Sequence, residues 1–516
     1  MSFSAEGFGA LAWRSQMNPN RTTVPIKRHG SKIPKLDRDS RTPEKLVAHY
    51  QIEKGLAAQL MNADQSARMP STHDSPLTTG QGTLGLSATA KFLWIAVSAN
   101  AVFALNSGAL AIGNCTNAAL GFVYWWLAAR SLSAEATGSA SALISMMVLL
   151  SQLGEFGLGT LLLGETQRHA ERAHGLIIAA LLTAFALSAL FGSVYCVLAG
   201  SLSLLGRFSE SSFAGPLFVG GCAITAIAMV LDQALIGLLR SMLTMYRNLV
   251  FAIVKLILLA AVVMMRPSME GVSAVLFSWV AGIAISLLLL LPFAWRYRVR
   301  VMRAPDFDLL ATLNPKVIDH HLLNISTQAP AVILPFVVAV LLSPEINAAF
   351  YPVWMLVTVA LIIPAALTTT LFTLAAADPG KLRRHLRFSL VISGACALAT
   401  GIFLLLFSSF VLRIFNPAYP EIAGSSLRFL GFSLFGVMIK FHYIALMRLR
   451  NHMRLASVWL SLAAIFELGM AVAGARIGGL QGLVLGWMLA IFIQATFMSK
   501  PILEAGLGAD QHSGTS

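Results

Sequence analysis

The sequence predicts an all-α polytopic membrane protein of about twelve transmembrane helices, built as two six-helix lobes related by a pseudo-two-fold axis along the membrane normal. Composition is the first observation. Of 516 residues, 57% are hydrophobic and only 12% are charged, and the mean hydropathy is +0.74. Soluble domains carry about 25% charged residues, so this chain has too little polar surface to cover a water-soluble globule. The same figures exclude a wholly disordered chain, and four cysteines exclude a disulfide scaffold. The second observation is a series of apolar runs near the ~20 residues that cross about 30 Å of hydrocarbon. The third is an internal repeat that divides those runs into equal halves.

Residues 1–90 mix Gly, Pro, Ser, Thr and charges, as in Ser71-Thr72-His73-Asp74-Ser75-Pro76, and read as a disordered basic cytoplasmic extension. Within it, Thr42 can cap and Pro43 can open a short amphipathic helix over 42–61; it lies on the membrane, docks a partner or stands unbound. Phe92 to Leu105 is apolar but too short to span, and reads as an interfacial lead-in with Trp94 at headgroup level. The spans are then expected at 106–129, 137–163, 176–200, 216–239, 248–265 and 271–295. The second set is expected at 317–342, 347–374, 388–412, 427–447, 455–475 and 479–498. This gives an N-terminal lobe over 91–300, a C-terminal lobe over 301–500 and a cytoplasmic tail over 501–516.

The loops carry both sidedness and symmetry. Counting outward from the N-terminal tail, the core's loops on the tail's side hold seventeen Lys/Arg and those on the opposite side hold six, with Lys255 and Lys440 inside spans. Such a bias places both termini in the cytoplasm. The formal charge of +14 is therefore read as topology-setting, with no nucleic-acid partner implied. Leu132-Ser133-Ala134-Glu135 closes span one, and Leu342-Ser343-Pro344-Glu345 closes span seven 210 residues later. Asp232 precedes Arg240 by eight residues, and Lys440 precedes Arg448 by eight, at an offset of 208. Matching offsets argue for parallel repeats. Cys115, Cys196, Cys222 and Cys396 stand singly in apolar surroundings and read as free thiols. No apolar h-region follows the first basic residues, so no cleavable signal is expected.

Three motifs carry a resemblance to a family. Ala128-Ala129-Arg130-Ser131-Leu132-Ser133-Ala134-Glu135-Ala136-Thr137-Gly138 resembles the turn ending the first helix of bacterial polysaccharide and O-antigen flippases. Gly154-Glu155-Phe156-Gly157-Leu158-Gly159 is similar to their acidic-F-G-L stretch, and Gly237-Leu238-Leu239-Arg240 to the G-L-x-R ending of their fourth helix. The resemblance covers residues 106–498 and implies the multidrug/oligosaccharidyl-lipid/polysaccharide exporter superfamily. It further implies a secondary transporter of the bacterial inner membrane that flips a lipid-linked oligosaccharide or polysaccharide precursor between leaflets by alternating access. The partners it implies are that glycan, membrane lipids and polysaccharide-assembly machinery, around a monomer. It says nothing of residues 1–90.

Ionisable side chains inside spans cost a few kcal/mol each, so each calls for a role. Asp232 and Lys255 sit at similar depth on consecutive helices and are expected to pair across the bundle, either as a functional couple or as a structural pin. Lys440 is expected to be unpaired, because Glu467 lies nearer mid-membrane. Lys440 then either faces a hydrated furrow, where with Lys255 it binds an anionic headgroup, or snorkels toward the interface. Asp232 and Glu467 are the candidate proton or coupling-ion sites; the alternative for Glu467 is a carboxyl kept neutral by burial. On span one, Asn106, Asn114, Asn117 and Tyr124 fall at about 0°, 80°, 20° and 0°. On span seven, His321, Asn324 and Gln328 recur at spacings of three and four. These stripes suit sugar hydroxyls, and they equally suit helix–helix hydrogen bonding. Glu155, Arg383 and Arg384 are expected at a cytoplasmic gate or entry patch, against plain topology-setting charge. Pro330, Pro335, Pro352 and Pro364 are expected to break helices seven and eight.

No cofactor, metal or catalytic constellation is expected, and no G-x-x-x-x-G-K-[ST] occurs to support ATP hydrolysis. A drug/cation antiporter of the same superfamily is the alternative, disfavoured by the two intramembrane lysines. A membrane-embedded glycan-processing enzyme is a third, disfavoured by short outside loops and isolated histidines.

Overall fold

In the computed structural model the described residues are 101–202, 214–265, 271–296, 304–313, 317–424 and 426–507. The expected extension 1–90 and its helix at 42–61 lie outside them.

The first half runs α1 (Ala101–Ser131), α2 (Ala134–Glu155), α3 (Leu158–Glu165), α4 (Ala173–Leu202), α5 (Ala214–Gly237), α6 (Ser241–Met265), α7 (Gly271–Leu288) and α8 (Leu291–Arg296). A short helix, α9 (Phe307–Leu313), leads to the second half. That half contains α10 (Val317–Leu341), α11 (Pro344–Ala360), α12 (Ile362–Ala377), α13 (Leu382–Phe415), α14 (Tyr419–Ala423), α15 (Ser433–Leu449) and α16 (Met453–Leu507). Among the described residues, ten helical stretches are long and apolar enough to cross a membrane. Of these, α16 is long enough for two crossings, and α1, which is not among the ten, is 31 residues long.

The repeat appears in local chemistry. Ser133 caps α2 by accepting from the Ala136 N–H at 3.1 Å, and Ser343, 210 residues on, caps α11 from the Ile346 N–H at 3.2 Å. Ser is a favoured N-cap, and Pro344 occupies the start of α11, where its missing N–H costs nothing. The reversal from α5 to α6 turns on Leu239 and that from α15 to α16 on Asn451, both at φ 58°.

Two expected spans are broken. The run at 137–163 is split by Phe156 and Gly157, two successive left-handed residues (φ 47° and 73°), into α2 and α3. The run at 347–374 divides at Leu361, with Pro364 in the first turn of α12, whereas Pro330, Pro335 and Pro352 are carried inside α10 and α11. The expected spans 455–475 and 479–498 lie on either side of Gly478 and Gly479, where α16 reverses; φ 57°, ψ −140° at Gly479 is glycine territory.

Two boundaries differ from expectation. Residues 304–313 belong with the first half: Leu309 and Leu310 are buried against Leu176 and Ala179 of α4, and Arg172 grips Asp306 with two 2.7 Å hydrogen bonds. The expected boundary at 300 places these residues with the second half. The cytoplasmic tail expected from 501 is helical to Leu507, because Arg383 and Arg387 donate to the Gly506 carbonyl at 2.8 and 3.3 Å and satisfy the end of α16. Outer faces of the helices present large apolar side chains, such as Leu190 and Val197 of α4, Ile257 of α6, and Phe388, Leu406 and Phe410 of α13, as lipid-facing surfaces do.

Candidate functional site

The two halves meet along α2 and α3, which pack against α10 and α11. At one end Asn347 donates through Nδ2 to the Gly138 carbonyl at 2.8 Å and to Ser141 Oγ at 2.9 Å. The approach there is close: a Cβ on Gly138 would stand 1.6 Å from the Pro344 carbonyl oxygen. Arg130 donates to the carbonyls of Ile414 and Arg413 at 3.0 and 3.2 Å, and Asn416 donates to the Ala129 carbonyl at 3.0 Å. Toward the other end, Gln152 donates to Gln328 Oε1 at 3.2 Å, Asn324 donates to Thr160 Oγ1 at 3.3 Å, and the Phe156 ring lies 5.1 Å from that of His321. The span-seven stripe thus faces the first half as one set. Apart from the Arg130 guanidinium at the first end, the seam is made of neutral amides, hydroxyls and rings, each contributing on the order of 1 kcal/mol.

The span-one stripe does not stay together. Asn114 is exposed, and Asn117 is half-buried with a buried Oδ1 that has no hydrogen-bond partner among the described residues. Tyr124 turns into the core, where its hydroxyl reaches the Val275 carbonyl at 3.1 Å and Ser278 Oγ at 2.8 Å. A buried phenol needs such a partner, and α7 supplies it. The side chain of Asn106 lies outside the described set.

The charged residues pair differently from expectation. Asp232 is held by Arg247, whose Nε donates to Oδ1 at 2.7 Å and whose Nη2 reaches Oδ2, with Asn248 adding a contact at 3.3 Å. The expected partner, Lys255, lies two turns deeper on α6; the planar guanidinium beside the turn matches the carboxylate bidentately. Lys440 is not unpaired. Its ammonium donates to Glu467 Oε1, and Trp487 donates its indole N–H to Oε2 at 3.3 Å. The depth difference between Lys440 and Glu467 closes because helical side chains lean toward their own N-termini. On antiparallel α15 and α16 those leanings converge.

Lys255 is 1% exposed and enclosed by rings: its Nζ lies 3.9 Å from the centroid of Trp279, 4.3 Å from Phe251 and 5.1 Å from Tyr124. Lys255 and Lys440 therefore both lie inside their own lobes and not on a cation-lined furrow. Of the expected gate residues, Glu155 folds back at the α2–α3 elbow beside Gly159 and Gln233. Arg383 is committed to the end of α16, and Arg384 is exposed.

Sequence reasoning missed several partners. Trp487 follows Trp279 by 208 residues, the offset already seen between Asp232 and Lys440, and each tryptophan faces its lobe's buried charge. Gln152, Thr160 and Asn347 lie in apolar context without periodicity, so only the fold reveals them.

No family model and no curated protein matches the sequence. Solved structures do match the fold. An inward-facing multidrug resistance MATE family transporter of the MOP superfamily aligns at 16% identity with a TM-score of 0.59, over 76% of this chain and 96% of that one. The outward-facing conformation of such a transporter aligns at 16% identity and 0.53, over 78% and 96%. A MOP superfamily transporter from Pyrococcus furiosus, described by a reversed polarity of its binding pocket, aligns at 16% and 0.54, over 78% and 96%. The chain has the two-lobed, all-helical membrane fold of the MATE transporters.

Proposed function

We propose that this protein is a secondary membrane transporter working by alternating access, with the two lobes separating along α2, α3, α10 and α11. One observation carries the reading: the hydrogen bonds described across the seam involve no carboxylate, while the described ion pairs of Asp232 and Glu467 lie within their own lobes. Contacts worth about 1 kcal/mol each can break and re-form on a transport cycle; buried ion pairs resist separation. The fold's likeness to transporters seen inward- and outward-facing supports the same motion.

The substrate we propose is a lipid-linked oligosaccharide, moved from the inner to the outer leaflet of a bacterial inner membrane. Support comes from the flippase-like motifs and from the amides Asn324 and Gln328, which can turn from Thr160 and Gln152 to sugar hydroxyls once the seam opens; Asn114 and Asn117 of α1 are further amides this reading assigns to the glycan. Asp232 and Glu467, each engaged by a cation, act in this reading as struts. A multidrug reading is favoured equally by the described activity of the structural neighbours and by the sequestration of Lys255 and Lys440, which removes the cationic furrow a pyrophosphate would prefer.

Purified protein in liposomes decides between them. A fluorescent short-chain polyprenyl-pyrophosphate disaccharide should become inaccessible to a membrane-impermeant quencher at a protein-dependent rate, while ethidium is not moved. Ethidium transport without glycolipid movement would establish the multidrug reading, and movement of neither would overturn transport of both classes.

A further inference from the structure

Lys255 stands apart from every other buried charge described. Asp232 has Arg247, and Lys440 has Glu467, but among the described residues the Lys255 ammonium has only ring faces. The elements packed against α6 leave it no counter-ion. α7 carries no titratable residue, and α5 carries only Cys222 and Asp232, the latter held by Arg247 and Asn248 at the turn. From α1 come Cys115, which is exposed, Tyr124, whose hydroxyl is engaged with α7, and Arg130, which is fixed to carbonyls of the second half. On α6 itself, Arg247 is spent on Asp232. Aromatic faces attract an ammonium but not a neutral amine, so the cage responds to the presence of one proton.

The cage also reaches the other lobe. Trp279 lies 6.2 Å from Trp125, and Trp125 packs edge-on at 4.8 Å against Tyr351 of α11. One turn along α11, Trp354 meets Trp487 at 4.9 Å, and Trp487 holds Glu467. The buried cation of one lobe and the ion pair of the other are joined by rings that cross the seam.

We propose that Lys255 is the proton carrier that couples a proton gradient to lobe movement. This inference rests on the transporter reading and assigns its driving ion. In the closed state the ammonium is held by Trp279, Phe251 and Tyr124. When the lobes part on one side, an Nζ–H bond breaks, the proton passes to water and the electron pair stays on nitrogen. The released rings shift the Trp125–Tyr351 contact, and the amine takes a proton from water when the opposite side opens.

Tryptophan fluorescence of the full-length protein in lipid nanodiscs, titrated from acidic to alkaline pH, tests the assignment. The wild type should show a step. Lys255→Arg, which keeps the cation but cannot release the proton, should hold the acid-side signal throughout, and Lys255→Met should lose the step. A purely structural cation would let Lys255→Arg follow the wild type, and an unchanged step in either variant overturns the proposal. In liposomes carrying an imposed pH gradient, movement of the glycolipid probe should accelerate in the wild type and lose its response in Lys255→Arg. A gradient response retained by Lys255→Arg overturns the proton role and leaves transport standing. A Lys255-dependent fluorescence step without movement of glycolipid or ethidium overturns the transport reading and leaves the proton site standing.

Discussion

Lys440 and Glu467 form a buried ion pair inside the second lobe, with the second carboxylate oxygen taken by the Trp487 indole. Both side chains are almost fully buried, at 4% and 1% exposure, so neither charge has water to fall back on. Glu467→Gln should leave a bare ammonium and lower stability by about 3–5 kcal/mol, read as earlier thermal unfolding of the solubilised protein. The exchange Lys440→Glu with Glu467→Lys should recover much of that loss. A Glu467→Gln variant as stable as the wild type would show that the pair does not hold α15 to α16.

Gly138 is the tightest point between the lobes. Any side chain there meets the Pro344 carbonyl at 1.6 Å, and backbone cannot yield as a flexible side chain can. Gly138→Ala should cost about 1–3 kcal/mol by overpacking and weaken the Asn347 bonds to Gly138 and Ser141. Hydrogen exchange at the start of α2 and α11 should rise while other helices keep their protection.

Arg172 and Asp306 fix the connecting segment to α4. The hydrogen bond and the charge of Asp306 push the Arg172 guanidinium further up from its ordinary value, so the clamp keeps its positive charge throughout the accessible pH range. Arg172→Ala should release residues 304–313 without disturbing α4. Proteolysis confined to that segment is the expected result.

Asp378 offers a local pH response. Its carboxyl is held below its ordinary value, first by the Lys381 ammonium at 2.8 Å. A depressed carboxylate stabilises the fold above its unfolded pKa, and that contribution disappears as pH falls through the folded one. The turn before α13 should therefore loosen in acid, seen as faster amide exchange at Gly380 and Lys381, and Lys381→Ala should weaken the pH dependence, leaving the part set by the Gly380 N–H.

Much of this fold could be read from residue order. Ser133 and Ser343 sit at caps where the Leu-Ser-x-Glu repeat puts them, because capping is a local contest for free N–H groups. The span-seven stripe holds because His321, Asn324 and Gln328 lie within two turns. Charge pairing was less legible: depth along a helix says nothing of side-chain lean, which brought Lys440 to Glu467, nor of Arg247 overtaking Lys255 at the turn. Tyr124 keeps its phase on α1, but its phenol, buried to 0% exposure, is committed to Val275 and Ser278 of α7, partners that helical phase does not announce. Phe156 in a left-handed conformation is a tertiary demand that no propensity announces.

In the proposed cycle the lobes part at one end as they close at the other. Spin labels at Glu135 and Ala418 report the end held by Arg130 and Asn347; labels at Gly164 and Asn451, exposed like the first pair, report the opposite end. In lipid nanodiscs each pair should show two distance populations, exchanging in opposite senses as pH is changed. A single, pH-independent distance at both ends would contradict that cycle.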